Sequence, residues 1–298
     1  MTIAACYLAS DGIVLGADST STVFVSTPGE QGGTTHHFNF GQKVFELGKR
    51  GSNVGVVLWG LGSLGNKSYR TLLAEIADEA DKNKLTTIDD VADLASSMFW
   101  KCYTDAFSNI IEHARELNEK GDKRNSDEEE ELALLWQNLS GGFCIAGRWN
   151  TERLLKAFEI TFHPLLTSAP NPKELVLGKP KFWGCPNLIE RLTFGIDQNL
   201  YSRILDSSKW TGTNDDLFDL VWQGSLGHPS DLPLREAIDW IYASIYTTIK
   251  GMKFSHLAPV CGGPIEVAAI TSDRPFRWVH HKRLGQAVVS DQIQEEHP

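Results

Sequence analysis

Ile3 to Ala9 and Ile13 to Ala17 are apolar almost without interruption, and only Ser10-Asp11-Gly12 separates them. No other feature narrows the fold as much. Runs of this length suit strands, the glycine can supply the positive φ that a hairpin turn requires, and the missing apolar/polar alternation asks for a sheet covered on both faces. Further strand-length runs lie at Thr22 to Ser26, Lys43 to Leu47 and Val54 to Trp59, with a Gly-rich polar loop expected from Pro28 to His37. The first sixty residues therefore read as an antiparallel meander.

Beyond Ser63 the apolar period becomes helical, over Leu64 to Asp81 and Ile88 to Leu117, with Val91, Leu94 and Met98 and then Ala106, Ile110 and Ile111 as inward stripes. Lys120 to Asn125 is a polar linker. Ser126 and the acidic run to Glu131 have the hydroxyl cap and first-turn carboxylates of a helix start, which accounts for the acidic cluster. Strands return at Gly142 to Trp149 and Leu155 to Phe162, about a polar turn at Asn150 to Glu152. A second helical block runs from about Asn187 to Lys250, broken near Gly212 to Asp215 and Gly224 to Pro233, and Ile265 to Thr271 and Pro275 to His280 close the order as strands. Two blocks of helices outside two antiparallel sheets make the class α+β, with no alternating βαβ units.

Composition excludes several kinds of partner. A chain of 298 residues, 41% hydrophobic and with nine tryptophans, buries its own core without metal or disulfide staples. Its net charge of −10 speaks against nucleic acid and against anionic membrane surfaces. No apolar run reaches membrane-span length and no basic region with a cleavage site opens the chain, so a cytoplasmic protein is expected. Cys6, Cys102, Cys144, Cys185 and Cys261 are odd in number and lack a CxxC pair, and so read as reduced core thiols. His36-His37 and His280-His281 lack ligand partners at useful spacing, and neither metal nor cofactor is expected. Trp240, Ile241, Ile245 and Ile249 form a helical stripe suited to the core or to a subunit interface, while Asp273 and Arg274 read as turn residues.

Thr2 stands directly before the first apolar run. Removal of Met1, expected before a small residue, would expose its α-amino group and so join a hydroxyl nucleophile to a base with a reference pKa of roughly 7.7–8.0. Asp18, at the end of the second run, needs a compensating cation or hydroxyl donor. A three-residue hairpin loop would pair Ala9 with Ile13 and Ala4 with Asp18, setting Thr2 and Asp18 on one face; a two-residue loop would turn Asp18 to the opposite face.

Gly12-Ile-Val-Leu-Gly-Ala-Asp-Ser19, with its aspartate sixteen residues after Thr2, and Gln42-Lys-Val-Phe-Glu-Leu47 resemble the proteasome β-subunit type of N-terminal nucleophile hydrolase, in its bacterial form. The resemblance implies a four-layer αββα sandwich, two antiparallel sheets flanked by helices, in one domain over residues 1–298 with helical insertions near 119–140 and 200–232. It implies Thr2 as nucleophile, Lys43 as the cation that lowers the amine and hydroxyl pKa values, and Asp18 as the anion that keeps Lys43 charged and placed. Val54 to Gly60 before a helix is similar to the family's next element, which would make Gly60 the backbone donor to an oxyanion. Cys261-Gly-Gly-Pro-Ile-Glu-Val267 is similar to its Ser-Gly-Gly segment, with Cys261 in place of serine; Ala258 replaces a supporting aspartate, and Phe182 to Pro186 offers no clear counterpart of a supporting serine. The implied activity is that of a threonine-type endopeptidase acting on peptides or unfolded protein, in a homo-oligomeric ring and without cofactor. Those departures keep a weak or inactive ring-forming scaffold in play. A third possibility, nucleotide binding by the GxGxxG of Gly60-Leu-Gly-Ser-Leu-Gly65, lacks the following parallel strand with its acid.

Overall fold

The computed structural model describes residues 2–26, 33–48, 50–65, 67–150, 153–256 and 260–282. Its strands are β1 (Ile3–Leu8), β2 (Gly12–Ala17), β3 (Ser21–Ser26), β4 (Gly33–Phe38), β5 (Val44–Glu46), β6 (Val54–Trp59), β7 (Gly141–Gly147), β8 (Lys156–Phe162), β9 (Lys173–Glu174), β10 (Pro180–Gly184), β11 (Glu266–Thr271) and β12 (Arg277–His280). Its helices are α1 (Tyr69–Lys82), α2 (Ile88–Glu119), α3 (Ser126–Leu139), α4 (Asn187–Phe194), α5 (Gln198–Leu205), α6 (Asn214–Gly224) and α7 (Leu234–Lys253). Among the described residues, no helix is long and apolar enough to cross a membrane.

The strands make three antiparallel sheets, ordered β10-β1-β2-β11-β12, β5-β6-β7-β8-β9 and β3-β4. The expected meander is thereby corrected: β1–β2 and β5–β6 belong to different sheets, and β3–β4 form a ribbon of their own, added to the two sheets expected. Residues 33–37, expected as loop, lie in β4, because Ser21 to Ser26 offers them a free edge from Ser21↔Phe38 to Ser26↔Gly33. The expected turn residues 151 and 152 and residues 28–32 of the expected loop lie outside the described residues.

Every position of β1, β2 and β6 is buried, as continuous apolar runs require. One face of the first sheet is covered by α7, where Ile241 and Ile245 are fully buried beside Ile3, Ala5, Val14 and Val267. Gly16 makes that approach possible: a Cβ there would lie 2.6 Å from Ile241 Cγ2. Ile241 and Ile245 of the expected stripe are thus core, each such aliphatic side chain contributing about 1.5–3 kcal/mol by its burial, while Trp240 and Ile249 are half-buried beside them. The outer face of the second sheet carries α1 and α2 through Leu72, Ile76, Val91 and Phe99, packed on Val56 and Phe143. The inner faces of the two sheets meet through Ala4, Cys6, Leu15, Val57 and Cys144, and through Trp59 and Trp183, stacked at 4.4 Å with 3° between ring planes.

Helix ends follow local capping more closely than periodicity. α1 starts at Tyr69, several residues after the expected Leu64, because the Ser68 hydroxyl accepts from Thr71 N–H and Leu64 is bridged to Lys67. Thr87 and Asp90 form a capping box at α2, and Asn125, not Ser126, caps α3. Phe107 interrupts α2 with non-helical φ −125° and ψ 16°, so the buried face runs through Ile88, Val91, Ala95, Phe99 and Tyr103 while Ile110 is exposed.

Candidate active site

The hairpin register is the alternative that would separate Thr2 from Asp18. Ala4 pairs with Ala17 and Leu8 with Ile13, leaving Ser10-Asp11 as a two-residue turn closed by Ala9 N–H to Gly12 C=O at 2.8 Å. Asp18 therefore stands opposite Ile3, whose carbonyl accepts its N–H at 3.1 Å. The separation has little effect, because β2 ends at Ala17 and alternation governs side chains only within the ladder. Past the strand end the Asp18 carboxylate gathers donors from four separate segments. Oδ1 accepts from Ile3 N–H at 3.1 Å and from Lys43 Nζ at 2.6 Å; Oδ2 accepts from Thr20 N–H at 3.1 Å and Gly262 N–H at 3.0 Å.

Asp18 is fully buried, and the Lys43 side chain is 11% exposed. An ionised pair so far from water is tolerated only when the remaining lone pairs are also satisfied, as these four donors satisfy them. Lys43 directly precedes β5, and its carbonyl accepts from Leu58 N–H at 2.9 Å, so the second sheet supplies the ammonium and the first the carboxylate.

A cleft of about 200 Å³ lies at this end of the two sheets, lined by Thr2, Lys43 and Gly60 together with Thr20, Trp59 and Tyr69. Three of the four expected residues share this space, and Asp18 stands behind Lys43. Thr2 is only 4% exposed. Gly60 has φ +81°, and a Cβ there would lie 2.4 Å from Gly141 Cα and from Ser140 O, so only glycine fits. The Gly60–Gly65 segment does not serve as a dinucleotide loop: β6 is antiparallel to both β5 and β7, and α1 begins beyond it, at Tyr69, whose hydroxyl donates to Leu61 C=O at 2.8 Å.

Sequence reasoning missed β10. Ile3 pairs with Gly184, where a Cβ would fall 1.9 Å from Thr2 O; the backbone of this glycine, at φ +84°, is what holds Thr2 from the other side. The next residue, Cys185, receives the Thr2 backbone N–H and the thiol hydrogen of Cys261, and both thiols are buried. The hydrogen bond from Cys261 lowers the Cys185 pKa against the opposing effect of burial. Donation to Cys185 and burial together raise that of Cys261, which stays a thiol. Within Phe182 to Pro186 it is thus Cys185 that lies beside Thr2, with Cys261 as its partner. Met1 and Ala258 lie outside the described residues.

No protein-family model matches the chain, and no curated protein matches it. Among solved structures it is similar to a Gly-1 mutant of Anbu from Hyphomicrobium sp. strain MC1, with a TM-score of 0.46 and 12% sequence identity, over 99% of this chain and 96% of that one.

Proposed function

We propose that the chain is a cytoplasmic N-terminal nucleophile hydrolase of the proteasome β-subunit type. It is a single four-layer αββα domain that cuts peptide bonds through Thr2 once Met1 is removed, and works in a homo-oligomeric ring. The observation that carries this is the Lys43 ammonium, 2.6 Å from a carboxylate supplied with three further donors, beside a cleft that Thr2 and Gly60 also line.

In this reading the Thr2 hydroxyl attacks the substrate carbonyl and the freed α-amine takes its proton. The Lys43 cation favours the deprotonated forms of both groups, and Asp18 holds it in place. An N–H at Gly60 stabilises the oxyanion, an interaction worth about 3–4 kcal/mol when such a donor is removed elsewhere. The acyl ester on Thr2 is then hydrolysed by water, with the same amine as base.

Two measurements test this. Intact mass of the purified chain should show loss of Met1, and a panel of fluorogenic peptides should include one cleaved by the wild type and not by Thr2→Ala. Retained Met1, or equal turnover by both proteins, overturns it. The second reading, an inactive scaffold of the same fold, rests on Cys261 standing where the resembled family has serine, and under it no peptide in the panel is cleaved.

A further inference from the structure

A second buried ion pair stands next to the first. Lys282 Nζ lies 3.0 Å from Glu266 Oε2, and both side chains are buried, at 6% and 0% exposure. The other oxygen of Glu266 is 2.9 Å from His281 Nδ1. An ammonium has three hydrogens to donate, and Lys282 gives hydrogen bonds to Gly41 C=O at 2.8 Å and Ser19 Oγ at 3.2 Å.

Those two acceptors are significant by position. Ser19 follows Asp18 directly, and Gly41 lies two residues before Lys43. Gly41 N–H also donates to Ser19 C=O at 2.8 Å, and Ser19 N–H to Gly262 C=O at 3.0 Å. Lys282 therefore ties the segment leaving Asp18 to the segment entering Lys43, and Glu266, the first residue of β11 and the partner of Ala17, anchors it to the first sheet. A buried ion pair is poor value as plain stabilisation, since apolar residues of similar volume often do as well. Burial lowers the Lys282 pKa, and Glu266 opposes that. Two acceptors and one facing carboxylate set around a cation do what an apolar residue could not, which is to fix two loops relative to each other.

We propose that Lys282, anchored by Glu266, is a positioning residue that sets the distance between the Asp18 and Lys43 segments and hence the place of the Lys43 ammonium at Thr2. This deepens the hydrolase reading and rests on it. Misplacing a reacting group by about 1 Å costs on the order of a hundredfold in rate, so loss of the clamp should act on chemistry and leave substrate affinity alone.

The test uses the full chain and a β-lactone, which acylates a threonine hydroxyl, with labelling at Thr2 followed by intact mass. In Lys282→Met the maximal acylation rate should fall about 10–100-fold, with the half-saturating lactone concentration unchanged and labelling still reaching completion. Hydrogen exchange should quicken at the amides of Ser19 and Gly41 and not in α2. If Lys282→Met does not fold, the double variant Lys282→Met/Glu266→Gln, which leaves no unpaired buried charge, replaces it. An unchanged maximal rate, or a loss confined to the fraction of chains that label, overturns the proposal. Should the wild type itself fail to label, the hydrolase reading falls and exchange alone decides: faster exchange at Ser19 and Gly41 upholds the clamp, and unchanged exchange removes it.

Discussion

At the open end of the N-terminal hairpin, charge is buried and satisfied; in the lobe built from α4, α5 and α6, polar groups are satisfied and apolar side chains face water. Asp18 there meets four donors with none of its surface exposed. In the lobe Thr213 and Asp216 cap α6 reciprocally and Asp197 caps α5, while Phe218, Leu220 and Trp222 are 54–60% exposed and Leu226 is 89% exposed. The contrast separates two uses of free energy. The hairpin end gives up desolvation energy to hold a geometry, whereas the lobe leaves hydrophobic energy unspent. Damage should therefore cost much at the first and little at the second.

The largest effect is expected at Asp18. Asp18→Ala leaves the Lys43 ammonium without its counter-ion and three backbone N–H groups without an acceptor, so urea unfolding should show a loss of about 3–5 kcal/mol. Gly60→Ala comes next, at about 2–3 kcal/mol, because a Cβ at positive φ must push into the backbone of Ser140 and Gly141; thermal melting measures it. A loss as small as that of a surface substitution would mean that the β6–β7 junction yields.

The lobe supplies the smaller effects. Burial of the Asp197 carboxylate would raise its pKa, but the Leu200 N–H and the Arg191 guanidinium outweigh that and lower it. A lowered carboxylate pKa gives stability that is present above the unfolded value of about 3.9 and lost as the pH falls through the folded one. Acid should accordingly release α5 amides to exchange below about pH 4, before those of β1 and β2, and Asp197→Ala should cost about 1–2 kcal/mol. Smallest of all, Trp222→Ser should change the stability of the isolated chain by no more than about 0.5 kcal/mol. A large loss there would show that the lobe's apolar face already has a partner within the fold.

The same two regions show what the sequence could and could not tell. Strand existence was legible in β1, β2 and β6 because unbroken apolar runs of that length have few other uses. Their register was not, for the same reason: with both faces buried, no polar residue marks which side is which, and a one-residue slip leaves the pattern intact. Asp18 stood out as a carboxylate ending an apolar run, and Lys43 only through the resemblance in the residues around it. β10 escaped because it is short, begins at Pro180 and ends at Gly184, and only pairing with β1 makes it a strand. Lys282 and Glu266 escaped because nothing local marks either residue; only tertiary packing brings them to Ser19 and Gly41. In the lobe, the helices were visible by period, yet periodicity could not say that their apolar faces would stay exposed.

The two clamped pairs, Asp18 with Lys43 and Glu266 with Lys282, cancel to zero, so the net charge of −10 resides elsewhere on the molecule. Ions in solution screen exposed charge over a Debye length of about 8 Å at physiological strength and reach buried pairs far less. On the proposed hydrolase reading, added salt should thus alter how readily a charged peptide arrives and leave the rate of the step after its arrival unchanged.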